Sequence, residues 1–212
     1  MISETSSDSL DSLIAVLPAD WEDRLFFLKL KHGVAGLTDP KEVVSELQYY
    51  LVFAEGMTEA YLKTVLAAHA TARTEKHIKA ALVLICSAKA EQELRALGAA
   101  VQQDGVIVLV DPSLPETAIW LRGALALIAP LFQPSLSSLF VDSLHCGVPL
   151  VTSNQPEISD VVGHAAYFLE RVDREEIERA LVKLENSSQL RASIQHAAKE
   201  FLHRTMGVEK NA

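Results

Sequence analysis

The residues best suited to chemistry fall in and around one stretch, Pro134–Glu157, which reads PSLSSLFVDSLHCGVPLVTSNQPE. It carries a carboxylate at Asp142, a hydroxyl and an amide side by side at Ser153-Asn154, and a second carboxylate at Glu157. Two further points lie outside it. Gly56 sits in the turn that ends an apolar run, and Lys89 follows another such run. His145 and Cys146 stand beside the Gly147 stop. His145 reads as a helix-end or packed histidine rather than a base. Cys146 has no local general base to activate it. The seven histidines are scattered, with no metal-ligand spacing. No dinucleotide glycine fingerprint, Walker loop or nucleophile elbow occurs.

Each candidate also has a plain structural reading. Asp142 can bind a ligand or be a solvated helix residue. Glu157 follows Pro156 and opens a helix, where the dipole favours a carboxylate in any case. Ser153-Asn154 lies at the end of an apolar run, the right place for a ligand, yet its composition is ordinary for a loop.

These residues need elements to hold them. The apolar run Leu125–Ala129 reads as a strand leading into the stretch. Leu136, Leu139, Phe140 and Leu144 then fall at helical spacing, and Leu150–Thr152 is a second strand. Strand, helix, glycine stop and strand make a βαβ unit, whose ligands lie at the carboxyl ends of the strands. The same texture extends outward. Continuous apolar runs at Tyr49–Ala54, Ala80–Cys86, Gly105–Val110 and Ala165–Leu169 predict further strands. Helical periods between them predict helices after Thr58, over Ala90–Gln102, over Pro115–Arg122 and from Asp173. A short helix is expected over Ile158–Val162 and a last one over Gln189–Thr205. Strands without polar alternation are buried on both faces. The expected fold is therefore α/β, a doubly wound parallel sheet of about six strands. Residues 1–48 read as a helical extension with a disordered start, 49–205 as the domain, and 206–212 as a tail. Leu10–Leu17 fits a helix or a strand equally well.

The 212 residues are 49% apolar and 22% charged, enough to bury a core. The net charge is −9, with no basic run, so no nucleic-acid partner is expected. The two cysteines, Cys86 and Cys146, sit in apolar contexts and read as buried thiols in a reducing compartment. The polar start is not a signal peptide, and the longest apolar run is too broken to span a bilayer. Cytoplasmic location follows as the expectation, with no cofactor or metal.

From Tyr49 to about Leu202 the chain resembles the C-terminal, nucleotide-sugar-binding Rossmann half of the group 1 glycosyltransferases, which have the two-domain GT-B fold. The resemblance rests on four ordered blocks: Pro134-Ser135, Gly147-Val148-Pro149-Leu150-Val151, Ser153-Asn154 with Pro156-Glu157-Ile158, and Gly163-His164-Ala165-Ala166. It implies that Asp142 stands where the family's second glutamate holds the ribose hydroxyls. It also implies nucleotide-sugar contacts for Ser153, Asn154, Glu157, Lys89 and Gly56.

The departures bear on function. The family's first glutamate and its glycine-rich loop, whose amides cradle the diphosphate, have no counterpart here. Ser137-Ser138-Leu139 stands in their place. The loop around Gly56 is acidic, with Glu55 and Glu59, where the family has cations. Lys63 lies one turn further on. Residues 1–48 are too few for the family's acceptor domain. Two readings result. The preferred one is a degenerate, non-catalytic glycosyltransferase-like module for binding or assembly. Its N-terminal helices, with Trp21, Phe26 and Phe27, would form a homodimer or meet a partner chain. The alternative is the nucleotide-sugar-binding subunit of a split transferase that moves a hexose from a nucleoside-diphosphate sugar.

Overall fold

The computed structural model describes residues 47–54, 57–97, 105–110, 114–130, 137–156, 158 and 165–205. The expected N-terminal helices, the C-terminal tail and most of the short helix over Ile158–Val162 lie outside the described residues.

Six strands form one sheet: β1 (Tyr49–Phe53), β2 (Ala81–Cys86), β3 (Val106–Val110), β4 (Ala126–Ile128), β5 (Leu150–Ser153) and β6 (Ala166–Leu169). The helices are α1 (Glu59–Lys76), α2 (Ala88–Ala96), α3 (Leu114–Gly123), α4 (Ser137–Cys146), α5 (Arg174–Asn186) and α6 (Ser188–Thr205). The strand order is β3-β2-β1-β4-β5-β6, and every pairing is parallel. The strands run first toward one edge and then toward the other, so the order reverses between β1 and β4. That point is where doubly wound sheets open a crevice for ligands.

The apolar runs form strands because both their faces are covered. Tyr49, Leu51, Leu127 and Leu150 pack in one layer with Trp120 of α3 and Phe140 of α4. Tyr50, Val52, Ile128 and Val151 pack in the other layer with Leu66 of α1 and Ile177 of α5. β1 to β6 thus match the expected strands to within a residue or two. α1 begins at its Thr58 cap, whose hydroxyl accepts from Tyr61 N–H, and α5 at its Asp173 cap, which accepts from Glu176 N–H. α2 starts at Ala88, earlier than its apolar period suggested, because Ser87 Oγ accepts from Ala90 N–H at 3.2 Å and caps it.

A polar network ties the layers at the amino ends of the strands. Glu185 of α5 accepts from Lys79 N–H at 2.7 Å and from Ala80 N–H at 3.2 Å. Arg73 donates to Lys79 O at 2.9 Å, and His69 Nε2 donates to Ala80 O at 3.0 Å. Tyr50 O–H donates to Leu181 O at 2.7 Å. Arg191 donates to the last carbonyls of α5, Leu184 O and Glu185 O, and holds α6 against it. Gly105, at φ +80°, enters β3 beneath Arg73; a Cβ there would lie 2.7 Å from the guanidinium carbon.

Glu185→Ala leaves two backbone N–H donors without their partner. It should lower stability by about 1–3 kcal/mol, read as a fall in the urea midpoint at unchanged slope. An unchanged midpoint would show that the carboxylate is dispensable.

Candidate functional site

The parallel order places the carboxyl ends of all strands, and the first turns of the helices that follow them, along one edge. At the reversal point the backbone is already committed. Ala54 N–H donates to Ile85 O, Ala129 N–H to Val151 O, and Ser153 N–H to Pro130 O. Beyond β5, Asn154 N–H donates to Leu169 O and Gln155 N–H to Ser153 O. A ligand here must be met by side chains or by loop and helix-end amides.

Ser153 ends β5. It is 5% exposed, and its hydroxyl has no hydrogen-bond partner among the described residues. Asn154 beside it is exposed on the rim. Thr152, which the sequence reading passed over as a strand residue, is fully buried, and its hydroxyl is likewise unpartnered. The one sequence signal for it was a polar residue inside an otherwise apolar run.

Lys89 is exposed in the first turn of α2. A cation beside the positive end of a helix is unfavourable by about 0.3–1 kcal/mol, so local stability does not explain it. Three strand spacings, about 14 Å, separate β2 from β5. Lys89 and Ser153 therefore flank the reversal point from opposite sides. Lys63 pairs with Glu59 at 2.5 Å, one turn away on α1. Both are exposed, so the pair is weak. Gly56 and Glu157 lie outside the described residues.

Asp142 is exposed on the outward face of α4, while Phe140, Ser143 and Leu144 point inward. It sits about 7 Å along the helix axis from the first residue, Ser137, below the edge that carries Ser153 and Lys89. Its charge reaches Cys146, whose thiol also meets Arg122 of α3. Burial pushes the Cys146 thiol up, a hydrogen bond and charge from Arg122 oppose this, and the Asp142 carboxylate adds to it. Cys146 is half-buried rather than buried as expected, since it ends α4 on the flank facing α3. Cys86 is buried, with its Sγ donating to Leu109 O, and neither thiol is in a disulfide. His145 is exposed in the last turn, where a cation suits the dipole, rather than packed. Among the described residues no group of His, Cys, Asp and Glu is arranged to hold a metal, and no helix is long and apolar enough to cross a membrane.

A family model described as "Glycosyl transferases group 1" matches residues 48–187. No curated protein sequence matches the chain significantly. Among solved structures, the α,α-trehalose 6-phosphate synthase of Burkholderia multivorans is similar at TM-score 0.60 and 12% identity, over 88% of this chain and 45% of that one. The C-terminal domain of a group 1 family glycosyl transferase (LpcC) from Francisella tularensis gives TM-score 0.57 and 16% identity, over 76% of this chain and 89% of that one. A chain of the GtfA/B complex gives 0.55 and 15%, over 74% of this chain and 34% of that one. At these identities the likeness is one of fold. The chain spans less than half the length of the trehalose synthase, but nearly all of the isolated C-terminal domain.

The placement of Asp142 against Cys146 has a direct readout. Asp142→Asn removes a charge that holds the thiol up, so the thiolate fraction at a given pH rises. Iodoacetamide should modify Cys146 faster in the variant near pH 8. Equal rates would put Asp142 elsewhere, free to face a ligand.

Proposed function

The chain belongs to the group 1 glycosyl transferases, and on that premise we propose that it acts as a non-catalytic binding or assembly module, working in the cytoplasm through contact with a second chain. The observation that carries this reading is the sequence at the reversal point. β4 ends at Ile128 and α4 begins at Ser137. Between them run Ala129-Pro130-Leu131-Phe132-Gln133-Pro134-Ser135-Leu136, with no glycine and no ionisable side chain. A diphosphate at a helix start is held by backbone N–H groups that approach it closely. Two prolines here remove two such donors, and no glycine eases the approach. Nor does the segment bring a charged group to stabilise a departing phosphate. Its leucines and phenylalanine suit contact with protein. The N-terminal 48 residues, with Trp21, Phe26 and Phe27, supply the natural docking element for a second copy or a partner.

A second reading has one observation in its favour. Lys89 stands at the start of α2 with no carboxylate partner among the described residues, a cation added to a positive helix end. On that basis the chain would be the donor-binding subunit of a split transferase. Asp142 would lie on the ribose and Lys89 near the diphosphate, with Ser153, Asn154, Glu157 and Gly56 around them. The GtfA/B structure, itself a complex, is compatible with such a division of labour.

Calorimetry and thermal shift with UDP, GDP, ADP and their glucose conjugates separate the two. The module reading expects no stabilisation at millimolar ligand, although a ligand at 100 times its Kd would add about 2.7 kcal/mol. Saturable binding that Asp142→Ala abolishes would overturn it in favour of the split transferase.

A further inference from the structure

We propose that the acidic N-terminal segment of this chain, Glu4–Asp23, docks on a cationic surface at the amino edge of its own sheet, around Lys76, His77 and Lys79. The inference goes beyond the binding-module reading and does not depend on it. The surface begins where α1 ends. Arg73 and Lys76 stand in the last turn of α1, His77 caps it, and Lys79 leads into β2. Lys76, His77 and Lys79 are exposed. Two carboxylates lie close by. Glu75 is exposed, while Glu185 is engaged by Lys79 N–H and Ala80 N–H. Among the described residues neither the Lys76 nor the Lys79 ammonium pairs with a carboxylate.

A cation in the last turn of a helix suits the dipole, which accounts for Arg73 and Lys76. It does not account for the next two. His77 lies in the left-handed region at φ 58°, where glycine or asparagine sits at least cost. A histidine there keeps a side chain on a backbone that disfavours one. Lys79 lies beyond the helix. Glu185 accepts from its N–H at 2.7 Å, and Arg73 donates to its carbonyl at 2.9 Å. The Lys79 backbone is thereby clamped from both sides, and its exposed side chain stands on a fixed base.

The chain itself selects the occupant. Residues 1–46 lie outside the described residues. Their first half carries Glu4, Asp8, Asp11, Asp20, Glu22 and Asp23, with no lysine or arginine before Arg24. The segment also joins the domain at this surface. Gln48 O accepts from Ala81 N–H at 2.8 Å, and Tyr49 pairs with Ala81. The chain therefore enters β1 one strand spacing, about 4.8 Å, from the entrance to β2 that Lys79 precedes. Linkage through the stretch from Arg24 to Leu47 gives the acidic segment an effective concentration on the order of millimolar. A free polyanion lacks that advantage and meets the field of a chain whose net charge is −9. A partner that engages Trp21, Phe26 and Phe27 is then met at the amino edge, away from the strand ends that carry Ser153.

The test uses the full chain and a carbodiimide, which joins a carboxylate to a lysine amine in contact with it. The Lys63–Glu59 pair is the internal control. At low salt, mass spectrometry should find amide links from Lys76 or Lys79 to carboxylates of residues 1–23. At about 1 M salt, where the Debye length falls to about 3 Å, these links should be lost. In a mixture of isotope-labelled and unlabelled chain they should stay within one chain. Trypsin cleavage after Arg24 is a second readout. Lys76→Gln combined with Lys79→Gln should speed it about fivefold at low salt, the worth of two surface ion pairs. Absence of the links beside a linked control pair overturns the proposal, and so does cleavage that the double variant leaves unchanged. Links between labelled and unlabelled chains overturn it as well, and give the surface to the segment of a second copy. The module reading is untouched by each of these outcomes, since it fails on nucleotide binding.

Discussion

Tyr49 and Tyr50 are adjacent in β1, fully buried, and aimed at opposite faces of the sheet. A phenol can be buried only if its O–H finds an acceptor. Tyr49 finds Trp120 O in α3 and lies edge-on to that indole, with ring centroids 5.2 Å apart. Tyr50 finds Leu181 O in α5. Burial raises both phenols well above their ordinary range, with Glu185 adding to the effect at Tyr50. One dipeptide at the centre of the sheet therefore sets the distance of both helical layers. The outer strands and remaining helices are arranged around that constraint.

The two edges of the sheet are built to different ends. At the amino edge Glu185, Arg73, His69 and Arg191 engage backbone groups of neighbouring elements, and the network closes on itself. At the carboxyl edge Thr58, Ser87 and Asp173 cap helix starts, while the hydroxyls of Thr152 and Ser153 have no partner among the described residues. A fold that wanted only stability would have treated both edges alike. The contrast separates an edge whose polar groups bind neighbouring elements from one that keeps two buried hydroxyls without a partner among the described residues.

Most of the fold was legible in the sequence because its signals are local. Apolar runs without alternation gave the strands, and Thr58 and Asp173 gave two helix starts. The candidate site was legible only in part. Ser153 and Asn154 stood out by their position after a strand and the motif around them. Asp142 was placed by a motif, but the Arg122 that meets the nearby Cys146 comes from a different helix and could not be read from spacing. Thr152 looked like any strand threonine until its missing partner was seen. Glu185 escaped notice because the groups it binds lie more than a hundred residues earlier, as its separations of 106 and 105 residues show.

The bond from Tyr50 to Leu181 spans 131 residues. During synthesis, β1 leaves the ribosome long before α5 exists to cover that face. At ordinary elongation rates the interval is on the order of ten seconds, ample time for hydrophobic collapse, which takes far less than a millisecond in chains of this size class. The nascent sheet must pass that interval with that face covered by α1 but not yet by α5. Whatever that face meets first is therefore decided by the order of translation rather than by diffusion afterwards.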